Sequence, residues 1–133
     1  MLHKVVYKVV RKHGGGRFSS NFVQGKARVR YSTKHYAKAP EWLREMGNDL
    51  LAFNTLKQAE DYRMCNCSKL ETCIFVAYAR GKIRDAAERD VMYRTWSYME
   101  LAEGKIDRLK KGGKTQFPVG SLACSEIRLV KEV

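Results

Sequence analysis

Residues 1 to 40 contain no aspartate and no glutamate. The same stretch carries ten cations: Lys4, Lys8, Arg11, Lys12, Arg17, Lys26, Arg28, Arg30, Lys34 and Lys38. The other 93 residues hold 16 basic and 14 acidic side chains, so nearly all of the net charge of +12 is N-terminal. Solubility alone is served by mixed signs. An unopposed block of one sign creates a directional potential that draws anions to one surface.

Long apolar runs are also missing. None approaches the ~20 residues a bilayer-spanning helix needs, and Met1-Leu2-His3-Lys4 lacks the apolar core and small-residue cleavage site of an export signal. The expectation is a cytoplasmic protein with no membrane partner. At 133 residues, with 44% apolar and 11% aromatic side chains, the chain has the material for one core, and residues 1–133 read as a single basic domain.

The machinery of catalysis is sparse. The three histidines, His3, His13 and His35, all lie in the basic third, with no cysteine or carboxylate nearby in sequence to orient them. Gly14-Gly15-Gly16 lacks the Gly-Lys-Ser/Thr ending of a phosphate-binding loop and reads as a hairpin turn. The acidic sets Asp85, Glu88, Asp90 and Glu100, Glu103, Asp107 have basic neighbours three or four residues away, the pattern of a solvated, ion-paired helix face. A non-enzymatic protein without a cofactor is expected.

Four cysteines are present, Cys65, Cys67, Cys73 and Cys124. A C-x-C step followed by a lone cysteine fits poorly the C-x₂₋₄-C pairing of structural zinc sites, so no metal is expected. Without an export signal, free thiols are the better reading. Cys73 and Cys124 sit in strand-like runs and read as small core residues.

Local patterns then set the fold class. Residues 3 to 11 form a β-branched strand that ends at the glycine turn, and Arg17 to Val23 can return beside it. In Lys26 to Tyr31 apolar and basic residues alternate. That puts Ala27, Val29 and Tyr31 on one face and Lys26, Arg28 and Arg30 on the other, near Lys8 or Arg17 of a neighbouring strand. A helical turn at Glu41 to Met46, a strand at Leu50 to Phe53 and a helix capped by Thr55 and Gln58 follow. Cys73 to Tyr78 reads as a central strand, Ile83 to Lys111 as helix on length, and Ser121 to Val130 as the last strand. The order implies an α+β fold, mainly an antiparallel sheet backed by two or three helices.

Two sets of residues suit an anionic ligand. The first is the row Lys26, Arg28 and Arg30. The second is Tyr93, Arg94 and Trp96 with Lys105 and Arg108, where rings offer stacking planes and cations meet phosphate, although Trp96 also suits the core. Finally, Leu50 to Ala59, the strand at Cys73 to Tyr78, and Pro118-Val119-Gly120-Ser121 to Leu129 resemble small phage and prophage proteins, among them the Thoeris anti-defence family of nucleotide sponges. That resemblance implies a homo-oligomer that sequesters a cyclic ADP-ribose-type anionic nucleotide in a bacterial host cell. The alternative is a protein that binds DNA or RNA, including an inhibitor of a host nucleic-acid machine.

Overall fold

The computed structural model describes residues 3–20, 28–45, 48–66, 70–86 and 120–133. Six strands and two helices follow one another: β1 (Lys4–His13), β2 (Arg17–Ser20), β3 (Arg30–Tyr31), α1 (Glu41–Glu45), β4 (Leu50–Phe53), α2 (Leu56–Asn66), β5 (Thr72–Asp85) and β6 (Ser121–Glu132). All named pairings are antiparallel. The order β3-β2-β1-β4-β6-β5 closes through β1 against β5, so the sheet is a barrel.

Strand period explains the closure. Val6, Lys8 and Val10 of β1 face inward and stand opposite Ala77, Phe75 and Cys73 of β5. With Leu50, Ala52, Cys124, Ile127 and Leu129 they form the interior, to which Tyr31 and Phe18 add rings from β3 and β2. Phe18 meets Phe75 edge-on, with centroids 4.8 Å apart. Cys73 and Cys124 are buried core residues, and burial pushes their thiols up to about 11 and about 12 respectively.

On the outer surface, α2 covers one part of the sheet. Leu56, Ala59 and Tyr62 share a helix face and pack on Val9, Ile74, Phe53 and Tyr7. The helix starts with a reciprocal cap: the Gln58 N–H donates to Thr55 Oγ1 and the Thr55 N–H to Gln58 Oε1, at 3.2 and 3.0 Å. Near its end Arg63 donates to the Thr72 hydroxyl and carbonyl, which ties the helix to the start of β5. Gly120 leads into β6 with φ of 90°, and a Cβ there would fall 2.1 Å from the Gln58 amide, so only glycine lets the cap and the strand meet.

Two expectations need correction. The sheet is mainly antiparallel and the fold broadly α+β, as expected, but the sheet is closed on itself and dominates, with α2 as the cover on one side, rather than being backed by two or three helices. Helix was expected from Ile83, yet Ile83, Arg84 and Asp85 continue β5 opposite Cys124, Ala123 and Leu122. The cause is a bulge at Gly81 and Lys82: Gly81 adopts φ of 80°, and the Ser125 hydroxyl bonds both the N–H and the carbonyl of Lys82. Pairing thus resumes beyond the irregularity and overrides helical spacing. The rest of that expected helix lies outside the described residues. Among the described residues no helix is long and apolar enough to cross a membrane.

Candidate functional site

The part of the outer surface that α2 leaves open is built by the middle of β5 and β6. Tyr78 stands opposite Arg128, Arg80 opposite Glu126, and Val5 of β1 lies on the other side of Tyr78. These side chains therefore share one face of the sheet. A crossing segment completes the site. Ala37 and Ile127 exchange both backbone hydrogen bonds, at 2.8 and 3.1 Å, and the Leu129 N–H donates to the Ser32 carbonyl. This holds Tyr36 over the β5–β6 face.

Within the site rings and guanidinium groups alternate. The Arg80 guanidinium lies 3.7 Å from the Tyr36 ring centroid. Arg128 lies near two rings, 5.5 Å from Tyr36 and 5.4 Å from Tyr78. The His3 ring lies on Tyr78 with centroids 3.9 Å apart and planes tilted by 32°. Arg80 is oriented by a two-pronged contact with Glu126, Nε to Oε2 at 3.1 Å and Nη2 to Oε1 at 3.2 Å, and that hydrogen bonding raises its already high pKa. Lys38 approaches the same carboxylate at 3.9 Å. Arg128 donates to the Thr33 carbonyl at 3.1 Å, and among the described residues no carboxylate pairs with it. The patch has one carboxylate, shared by Arg80 and Lys38, and a net positive charge.

Of the residues expected to bind a ligand, Arg28 and Arg30 are exposed while Val29 and Tyr31 are buried, as the alternation requires. Their chain runs directly into the crossing segment, and Arg30 is three residues from Thr33. That keeps their Cα atoms within about 11 Å. Lys26, Tyr93, Arg94, Trp96, Lys105 and Arg108 lie outside the described residues; the last five belong to the stretch between Ala86 and Gly120.

Of the two neighbours expected for the basic row, Arg17 of β2 shares its face with Ser19, the partner of Arg30, whereas Lys8 needs correction. Arg30 pairs with Ser19, and Ser19 with Arg11, so Arg11 is the cation on the same face two strands away; it is engaged by Glu71 at 3.0 Å. Lys8 instead points into the barrel. Where β1 and β4 diverge beyond the pair Tyr7–Phe53, its ammonium donates to the Leu51 carbonyl and lies 5.0 Å from the Tyr31 ring centroid. Burial lowers its pKa to about 8, partly opposed by Cys124, and burial also raises that of Tyr31.

One arrangement invisible in the sequence is a His13 Nε2 to Ser19 Oγ contact at 2.6 Å. This is the spacing of a base and a hydroxyl nucleophile. Ser19 is only 1% exposed, however, and a substrate has no approach to it. A shallow concavity between α2 and β5 is lined by Lys12 and Arg63 but also by Glu60 and Glu132, over Cys73, so its charges are mixed.

Tyr36, Tyr78, Arg80 and Arg128 were not singled out from sequence. Tyr78-x-Arg80 and Glu126-x-Arg128 do carry a period-two signal, but only strand register puts the two pairs side by side. Tyr36 lies in an irregular segment and has no such signal. Comparison with known proteins finds no matching family model, no matching curated protein and no matching solved structure.

Proposed function

We propose that the protein is a non-enzymatic nucleic-acid-binding protein whose ligand lies across the open β5–β6 face. One observation carries the reading: the Arg128 guanidinium lies within 5.5 Å of both the Tyr36 and the Tyr78 ring on a strand face that no described helix covers. Cations beside flat rings meet phosphates and bases together. Lys34, Lys38, Arg28 and Arg30 extend the positive surface along the crossing segment and β3, a track suited to a polyanion rather than to a small dianion.

Titration with an oligonucleotide and with a cyclic ADP-ribose isomer, each at several salt concentrations, tests this. The oligonucleotide's log affinity should fall with log salt by about 0.7 to 0.9 per neutralised phosphate, and replacing Arg28 and Arg30 by Ala should reduce that slope by roughly two. Tight, salt-insensitive binding of the cyclic nucleotide, with no oligonucleotide binding, would instead support a sponge for an anionic signal.

A further inference from the structure

We infer that the nucleic acid is taken up single-stranded, its bases stacking on the rings of the Tyr36–Tyr78 face; this rests on the function proposed above. Both rings already carry flat groups. The His3 ring covers Tyr78 at 3.9 Å and the Arg80 guanidinium covers Tyr36 at 3.7 Å. Each ring thus already stacks against a plane on one side, and His3, itself exposed, is the member of the Tyr78 stack that a base meets from solvent or displaces. Both rings lie within 5.5 Å of one guanidinium, so at most twice that distance separates them. Arg128, close to both, is placed to meet the phosphate that links two bases.

The surroundings favour a strand with accessible bases. Val5, opposite Tyr78, is 46% exposed, apolar surface that a base can cover and a phosphate cannot. A duplex keeps its bases stacked on one another and is read by an element inserted into a groove. Among the described residues the helices are α1, of five residues, and α2, whose apolar face is already used on the barrel. The convex sheet face would touch a duplex only at its backbone. Arg80, fixed by Glu126, serves to hold Tyr36 in place, so Tyr78 is the more sensitive position.

Fluorescence anisotropy with the intact chain decides this with three probes of equal length: a single strand, the matching duplex, and a strand of equal charge without bases. The single strand should bind at least tenfold more tightly than either. Tyr78→Ala should weaken it by about 5- to 150-fold, the range for loss of one base–ring stack, while Tyr78→Phe retains binding. Equal affinity for all three probes with a steep salt response would overturn base stacking but leave nucleic-acid binding standing. Absence of binding to any of them overturns both. The probe comparison needs no variant, so a Tyr78→Ala chain that failed to fold would not block the test.

Discussion

Strand β5 presents its outer face twice, with opposite results. At Ile74 that face is closed: α2 lies over it, and Ile74, Val9 and Phe53 are as buried as the barrel interior. Four residues on, at Tyr78, no helix among the described residues lies over the same face, and rings and guanidinium groups replace aliphatic side chains. The backbone pairing with β1 is continuous through both halves. What separates them is the cover. Among the described residues a helix covers the first half, where the outward positions are spent on packing, and no helix covers the second, where rings and guanidinium groups pack on one another.

The largest expected effect tests that division. Ile74→Ala should cost about 2 to 5 kcal/mol of stability, because it removes buried methyl groups and leaves a void under α2. Tyr78→Ala should cost less than Ile74→Ala in the same denaturant titration, since its ring is only partly buried while Ile74 is fully so. Equal losses would mean that the open half is also structural, and the case for a binding face would weaken.

Beneath both halves lies Lys8, which offers a comparable effect set by pH. In the unfolded chain this amine keeps its proton to about 10.5; folded, it releases it near 8. Between these values the unfolded state binds more protons, so Lys8 makes stability rise with pH, by about 3 kcal/mol over the whole window. Cys73, Cys124 and Tyr31 act oppositely, because their raised pKa values make the unfolded state lose protons first as pH rises above 9. The clean measurement is the stability difference between the natural chain and Lys8→Met, which should shift in favour of the natural chain from pH 8 to 10.5. A pH-independent difference would show that the ammonium is not held in the interior.

The two halves also differ in how far sequence alone exposes them. The β-branched run of β1, the alternation around Arg30, the Gly14–Gly16 turn and the Thr55–Gln58 cap are signals within a few residues, and the structure has each of them. Closure of the barrel depends on β1 meeting β5, about 70 residues away, and no local pattern encodes it. The orientation of Lys8 shows the limit well. Around Lys8 the residues on both faces of β1 are apolar, so no alternation assigns its side, and the lysine takes the inner one because Val6 and Val10, with the same parity, belong to the core. The open face has the same difficulty, since it draws His3, Tyr36, Tyr78, Arg80 and Arg128 from separate segments.

The smallest effect loosens the cover without touching the open face. Thr55→Ala removes the hydroxyl that accepts the Gln58 N–H, and loss of such a cap costs about 1 kcal/mol. Gln58 would keep its own bond to the Thr55 N–H and its place against Gly120, so the start of β6 should not shift. The loss should appear as a lower urea midpoint with an unchanged slope, because the surface exposed on unfolding is the same. Amide exchange should quicken in the first turn of α2, the part the cap holds. Affinity for a single-stranded oligonucleotide should stay within about twofold, since Thr55 and the Tyr78 ring belong to different halves of the outer surface. A weakening as large as that of Tyr78→Ala would mean that the helix and the open face move together, and that the cover is part of the binding site.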